Sequence, residues 1–115
     1  MKIITWNIRG LNSSHKLDIV QNFVREKKLD ILLLQETKME KERAEKIKSF
    51  NEYYLKASSS EGASGVTVML WKKSYLLGFF LNESNHFMMV KITSINQNYE
   101  WYIVNMYALN TKNSR

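Results

Sequence analysis

Cysteine and proline are both missing from this 115-residue chain, and only four glycines are present. Without cysteine there is no disulfide scaffold or disulfide partner, no zinc ribbon, no thiol nucleophile and no CxxC redox pair. Without proline there are no PxxP ligands and no proline-rich linkers. No apolar run approaches the ~20 residues that span a bilayer. The opening stretch Met1 to Arg9 is broken too early by Asn7 and Arg9 to form the hydrophobic region of a signal peptide. A soluble, intracellular chain with no membrane partner is therefore expected.

What is present is a globular composition, with 44% hydrophobic and 12% aromatic residues. A chain of this size buries about two-thirds of its unfolded surface, enough for one core between two layers. Seventeen Lys and Arg against eleven Asp and Glu give a formal charge of +6. That balance favours polyanionic partners such as nucleic acid, and an ordinary basic surface fits it equally well.

The order of apolar patterns is strand, helix, strand, helix, then strands only. Residues 2 to 8 are a β-branched and aromatic run ending at the Arg9-Gly10 turn signal. Asn12, Ser13 and Ser14 offer N-caps for a helix from about 15 to 28, with Leu17, Val20 and Val24 on one stripe. The run at 29 to 35 is almost unbrokenly apolar, as in a parallel strand covered on both faces. A second helix is predicted over 40 to 50, carrying Ala44, Ile47 and Phe50 on one side. Five more strands follow at 52–57, 66–71, 75–81, 86–93 and 99–107, and their short connections imply antiparallel neighbours. The Lys72-Lys73-Ser74 segment reads as a hairpin turn guarded by its lysines. The fold class is α/β: a mixed sheet with one parallel βαβ unit, antiparallel strands after it, and helices on the outer face.

The βαβ unit places chemistry. Parallel strands joined by one helix lie side by side through a right-handed crossover, so their carboxyl ends emerge on one edge. Ligands of open α/β sheets bind at that edge. Asn7 ends the first strand and Glu36 ends the second. A carboxylate behind the apolar residues Ile31 to Leu34 needs a partner, and Mg²⁺ is commonly held by only one or two protein carboxylates, with water and substrate phosphate completing its shell. The same two residues also fit a helix-start acid and a turn former.

Three ordered stretches carry a resemblance. "IITWNIRGLN", then "LDILLLQETK", and finally "WYIVNMYALN" at 101 to 110 look like successive motifs of the endonuclease/exonuclease/phosphatase superfamily. Between them, "SSEGASGVTVMLWKK" is similar to that family's Gly-rich segment leading into an apolar strand. The likeness runs through the whole chain and is greatest to the endonuclease domain at the N-terminus of LINE-type non-LTR retrotransposon polyproteins. It implies that residues 1–115 form the N-terminal portion of one such domain, a partial α/β sandwich.

The resemblance makes Glu36 the metal-binding glutamate, Asn7 the amide beside the metal and scissile phosphate, and Tyr107 a phosphate-contacting tyrosine. Asn110 and Arg9 then face the substrate. The implied reaction is Mg²⁺- or Mn²⁺-dependent hydrolysis of a phosphodiester, in which DNA is nicked. The implied compartment is the nucleus, with a reverse transcriptase domain downstream in the parent polyprotein.

The sequence departs from the family at Leu109, where the turn normally has Pro, and at Val66, where a second Gly is common. The "GDFN" and "SDH" motifs, which supply nucleophile positioning and the base, do not occur. Ser84-Asn85-His86 imitates the latter but precedes the "NMYALN" element and lacks the carboxylate that orients an imidazole. The chain is accordingly expected to be weakly active or inactive as a nuclease, with a non-catalytic nucleic-acid-binding remnant as the alternative. The resemblance also places the second sheet of the sandwich beyond Arg115, leaving the chain marginally stable.

Overall fold

The computed structural model describes residues 1–58, 65–84 and 87–106. The elements are β1 (Ile3–Asn7), α1 (Ser14–Lys27), β2 (Ile31–Gln35), α2 (Lys41–Glu45), β3 (Tyr53–Ala57), β4 (Val68–Lys72), β5 (Leu76–Glu83), β6 (Phe87–Ser94) and β7 (Glu100–Met106). They build two sheets. The first has the order β1-β2-β4-β3, with β1 and β2 parallel and the other pairs antiparallel. The second is an antiparallel meander, β5-β6-β7. The α/β class, the single parallel pair and the following antiparallel strands are as the sequence predicts.

Helix α1 forms where the sequence supplies both ends. Ser13 Oγ accepts from Lys16 N at 3.1 Å, satisfying one of the free amides of the first turn. At the other end Lys28 turns left-handed, Leu29 N bonds back to Val24 O at 3.3 Å, and Arg25 and Lys27 face the negative end of the helix. Val20 and Val24 bury against Leu32, Leu34, Val68 and Leu70 on the outer face of the first sheet. Trp6 on β1 meets Phe23 edge to face, with ring centroids 5.1 Å apart.

Every residue of β2 is buried. Leu32 and Leu34 point under α1, while Ile31 and Leu33 point into the seam between the sheets, where they join Met69, Trp71, Leu76, Met88, Val90 and Ile92. The layers are therefore helix, sheet, sheet, with helices on the outside of the first sheet.

Three expectations are corrected. Helix α2 covers only Lys41–Glu45. Its N-cap, Glu40, makes no side-chain cap bond, and Lys46 N and Ile47 N already bond three residues back. The 44-47-50 spacing of apolar residues is a period of three, which suits such tightened turns as well as a helix. Secondly, Lys72-Lys73-Ser74 is not a hairpin. β4 and β5 belong to different sheets, and this short turn carries the chain across the seam. Lys72 instead pairs with Glu52 at 3.4 Å and lies over the Tyr53 ring. Thirdly, the described residues already hold two sheets, since β5, β6 and β7 form a second one that packs on the first through the seam.

Tyr53 gives a pH-dependent prediction. Its hydroxyl donates to Leu29 O at 2.5 Å, tying β3 to the chain just ahead of β2. Burial, and then the charges of Glu52 and Asp30, raise its pKa above the ordinary 10.0. The fold therefore prefers the protonated phenol. That stabilisation is complete below the unfolded-state pKa and is lost as pH rises through the folded one. Tyr53→Phe is expected to lower stability by about 1–2 kcal/mol near neutrality. The gap from wild type should hold steady up to about pH 10 and narrow only above it in urea titrations. A gap that stays constant above about pH 10, or that closes well below it, would refute the assignment.

Candidate metal and phosphate site

Asn7 and Glu36 come together through register. In the parallel ladder Ile3 is paired with Ile31 and Asn7 with Gln35, so β1 and β2 end level with each other. The pairing persists beyond the strands: Ile8 N donates to Gln35 O at 3.1 Å, Gly10 N to Glu36 O at 2.7 Å and Leu11 N to Thr37 O at 2.8 Å. On this shared rim the Asn7 side-chain amide donates to the Glu36 carboxylate. The expected juxtaposition of an amide and an acid is what the structure has.

The backbone here is unusual. Arg9, Glu36 and Lys38 have φ of 51°, 53° and 57°, and Gly10 lies between the first two at 107°. Left-handed conformations cost non-glycine residues of the order of 1–3 kcal/mol each and concentrate at functional sites. They turn both chains sharply at the rim, so that Glu36 leaves the strand half-buried beside Asn7.

A third segment supports the loop from beneath. The fully buried Thr37 donates from Oγ1 to Val66 O at 2.7 Å, and Val66 N donates to Met39 O at 3.0 Å. Asn12 Nδ2 and Lys38 O are 2.7 Å apart, and Arg43 donates to Asn12 O at 2.9 Å. Val66, where a second glycine is common in the family, is fully buried among the apolar residues below α1.

Of the sequence-derived site residues, Asn7 and Glu36 touch and Arg9 is exposed two residues beyond Asn7 on the same rim. Tyr107 and Asn110 lie outside the described residues, as do Asn85 and His86 of the imitation motif. Sequence reasoning missed two residues just below the rim. Gln35 Nε2 donates to Thr5 Oγ1 and to Asn105 Oδ1, each at 2.8 Å, and Asn105 Nδ2 donates to Val68 O at 2.9 Å and Leu34 O at 3.3 Å. Both are polar residues at seam-facing strand positions, in alternation with Ile31 and Leu33 or with Trp101 and Ile103. That alternation is the signal that would have found them.

The profile of the endonuclease/exonuclease/phosphatase family matches residues 4–106. The chain belongs to this family. Its fold is similar to that of the AP endonuclease LMAP from Leishmania major, with a TM-score of 0.71 at 21% identity over 95% of this chain and 40% of that one. It is also similar to a functionally unknown conserved protein from Enterococcus faecalis V583, with a TM-score of 0.65 at 16% identity over 93% of this chain and 52% of the other. The chain thus spans between two-fifths and about half the length of these structures. No curated protein matches it.

For a family member, the donor set at the rim has a specific character. Glu36 forms no ion pair with another described residue. Nor do the described residues contain a group of three or more His, Cys, Asp and Glu side chains able to cage a metal. One carboxylate and one amide, half open to solvent, fit a cation that keeps most of its water and takes ligands from a phosphate, as Mg²⁺ and Mn²⁺ do. They do not fit a tetrahedral zinc cage.

Proposed function

We propose that this chain carries the metal and phosphate side of a phosphodiesterase centre acting on DNA, in a nicking endonuclease of retrotransposon origin. The contact of Asn7 with Glu36 on the common carboxyl edge of β1 and β2 is the observation that carries this reading. Glu36 would hold Mg²⁺ or Mn²⁺, which when bound supplies charge stabilisation at the phosphoryl and leaving oxygens. Asn7 orients the Glu36 carboxylate through its N–H, and Arg9, exposed on the same rim, adds a positive charge for the incoming phosphate. The net charge of +6 draws the polyanion in. The motif wording "WNIRGLN" and "NMYALN" supports the retrotransposon branch, and with it a nuclear site of action and a reverse transcriptase domain in the parent protein.

Among the described residues no group of three or more His, Cys, Asp and Glu side chains gathers to hold a metal, and the sequence contains neither the "GDFN" nor the "SDH" motif that supplies nucleophile positioning and the base in the family. Slow turnover is part of this proposal, since the members of a catalytic set act together and a partial set retains little of the rate. This favours a second reading in which the chain binds nucleic acid without cutting it.

The test uses supercoiled plasmid with Mg²⁺, together with Mn²⁺ binding followed by electron paramagnetic resonance. Wild type should bind Mn²⁺ and nick slowly. Glu36→Ala should abolish nicking and weaken Mn²⁺ binding by at least about tenfold. Salt-sensitive DNA binding without any nicking would select the second reading. Mn²⁺ binding that is absent, or indifferent to Glu36, would overturn the metal assignment.

A further inference from the structure

Asn105 is fully buried on β7, and the inward neighbours on its strand, Trp101 and Ile103, are apolar. A buried amide is costly unless its hydrogen bonds are made. Here they are. Its oxygen accepts from Gln35, and its nitrogen donates to the carbonyls of Leu34 and Val68. Leu34 and Val68 face each other across the β2–β4 ladder, and Gln35 reaches on to Thr5 on β1. One continuous set of bonds thus links β4, β7, β2 and β1, ending one residue before Glu36 and two before Asn7.

We infer that Asn105 and Gln35 are positioning residues that set the height and orientation at which Glu36 and Asn7 reach the rim. This deepens the metal reading and rests on it for its metal-binding arm. The apolar seam alone would hold the two sheets together, but burial of apolar surface has no direction and permits sliding. Hydrogen bonds weaken steeply with angle, so this set fixes one sheet against the other along the strand axis. Gln35 is also the last residue of β2 before the left-handed turn at Glu36, so a change in its side-chain anchor passes straight into that turn.

The test has two readouts. Gln35→Met keeps the volume and removes the donor; Asn105→Leu removes the other half. Ile92→Val, a seam substitution two inward positions along β6 from Met88, the ladder partner of Asn105, is the stability control. Hydrogen exchange at Gly10 and Leu11, whose amides bond to Glu36 O and Thr37 O, reports rim geometry without any metal.

Exchange there should quicken by about fivefold or more in Gln35→Met and Asn105→Leu, relative to the control. Glu36-dependent Mn²⁺ affinity should fall by about tenfold. If Asn105→Leu does not fold, Gln35→Met decides. Exchange at control level would overturn the positioning role even where Mn²⁺ binds. Quickened exchange in a protein that binds no Mn²⁺ would sustain the positioning role and defeat the metal reading instead.

Discussion

Gly65→Ala is expected to lower the melting temperature by more than about 10 °C, through a loss of about 2–5 kcal/mol. Gly65 has φ of 83°, a conformation in which an L side chain is strained. Space is the second obstacle. A Cβ there would lie 2.5 Å from Met39 N, 2.6 Å from Lys38 N and 2.7 Å from Lys38 Cα. These are backbone atoms of the segment that carries Glu36, so relief requires the loop to move. A domain of ordinary stability has about 5–15 kcal/mol in total, and this one substitution removes a large share of it. In any folded remainder the Glu36 loop is displaced, and Mn²⁺ affinity should fall together with thermal stability. A melt within about 3 °C of wild type would show that the loop does not lean on Gly65.

Gly78→Ala should destabilise by about 1–3 kcal/mol, and the loss should depend on Trp71. Gly78 lies on β5 opposite Ile92, and the indole of Trp71, from β4 of the other sheet, packs across its Cα. An added Cβ would fall 2.8 Å from Trp71 Nε1 and closer still to the ring carbons Cε2 and Cζ2. The glycine is the recess into which the indole fits. Trp71→Leu alone forfeits aromatic burial in the seam and costs roughly 2–4 kcal/mol. Combined with Gly78→Ala it should cost less than the sum of the two, by about 1 kcal/mol or more. Strict additivity in urea unfolding would sink this account of the seam.

The parallel pair and its rim were legible before any coordinates. An unbroken apolar run at Ile31 to Leu34 is typical of a strand covered on both faces, and a right-handed crossover then puts Asn7 and Glu36 on one edge. Other features were hidden by ambiguous local signals. The turn between β4 and β5 has a hairpin's length, and nothing in Lys73-Ser74-Tyr75 says that the two strands join different sheets. The apolar spacing in 44–50 fits a helix and a tighter coil alike, and the chain takes the tighter form after Glu45, where Lys46 N and Ile47 N bond three residues back. Strand alternation marks Gln35 and Asn105 as inward-facing, but they are 70 residues apart, so no local pattern pairs them.

The indole of Trp71 has one more consequence. Its Nε1 is buried without a hydrogen-bond partner, whereas Trp6 and Trp101 are only partly buried. A dry, unbonded indole emits at shorter wavelength than a wet one, and this one sits where the two layers meet. Any loosening of that junction would let solvent reach the ring and move its fluorescence to the red, so the molecule contains its own optical gauge of whether the halves are closed.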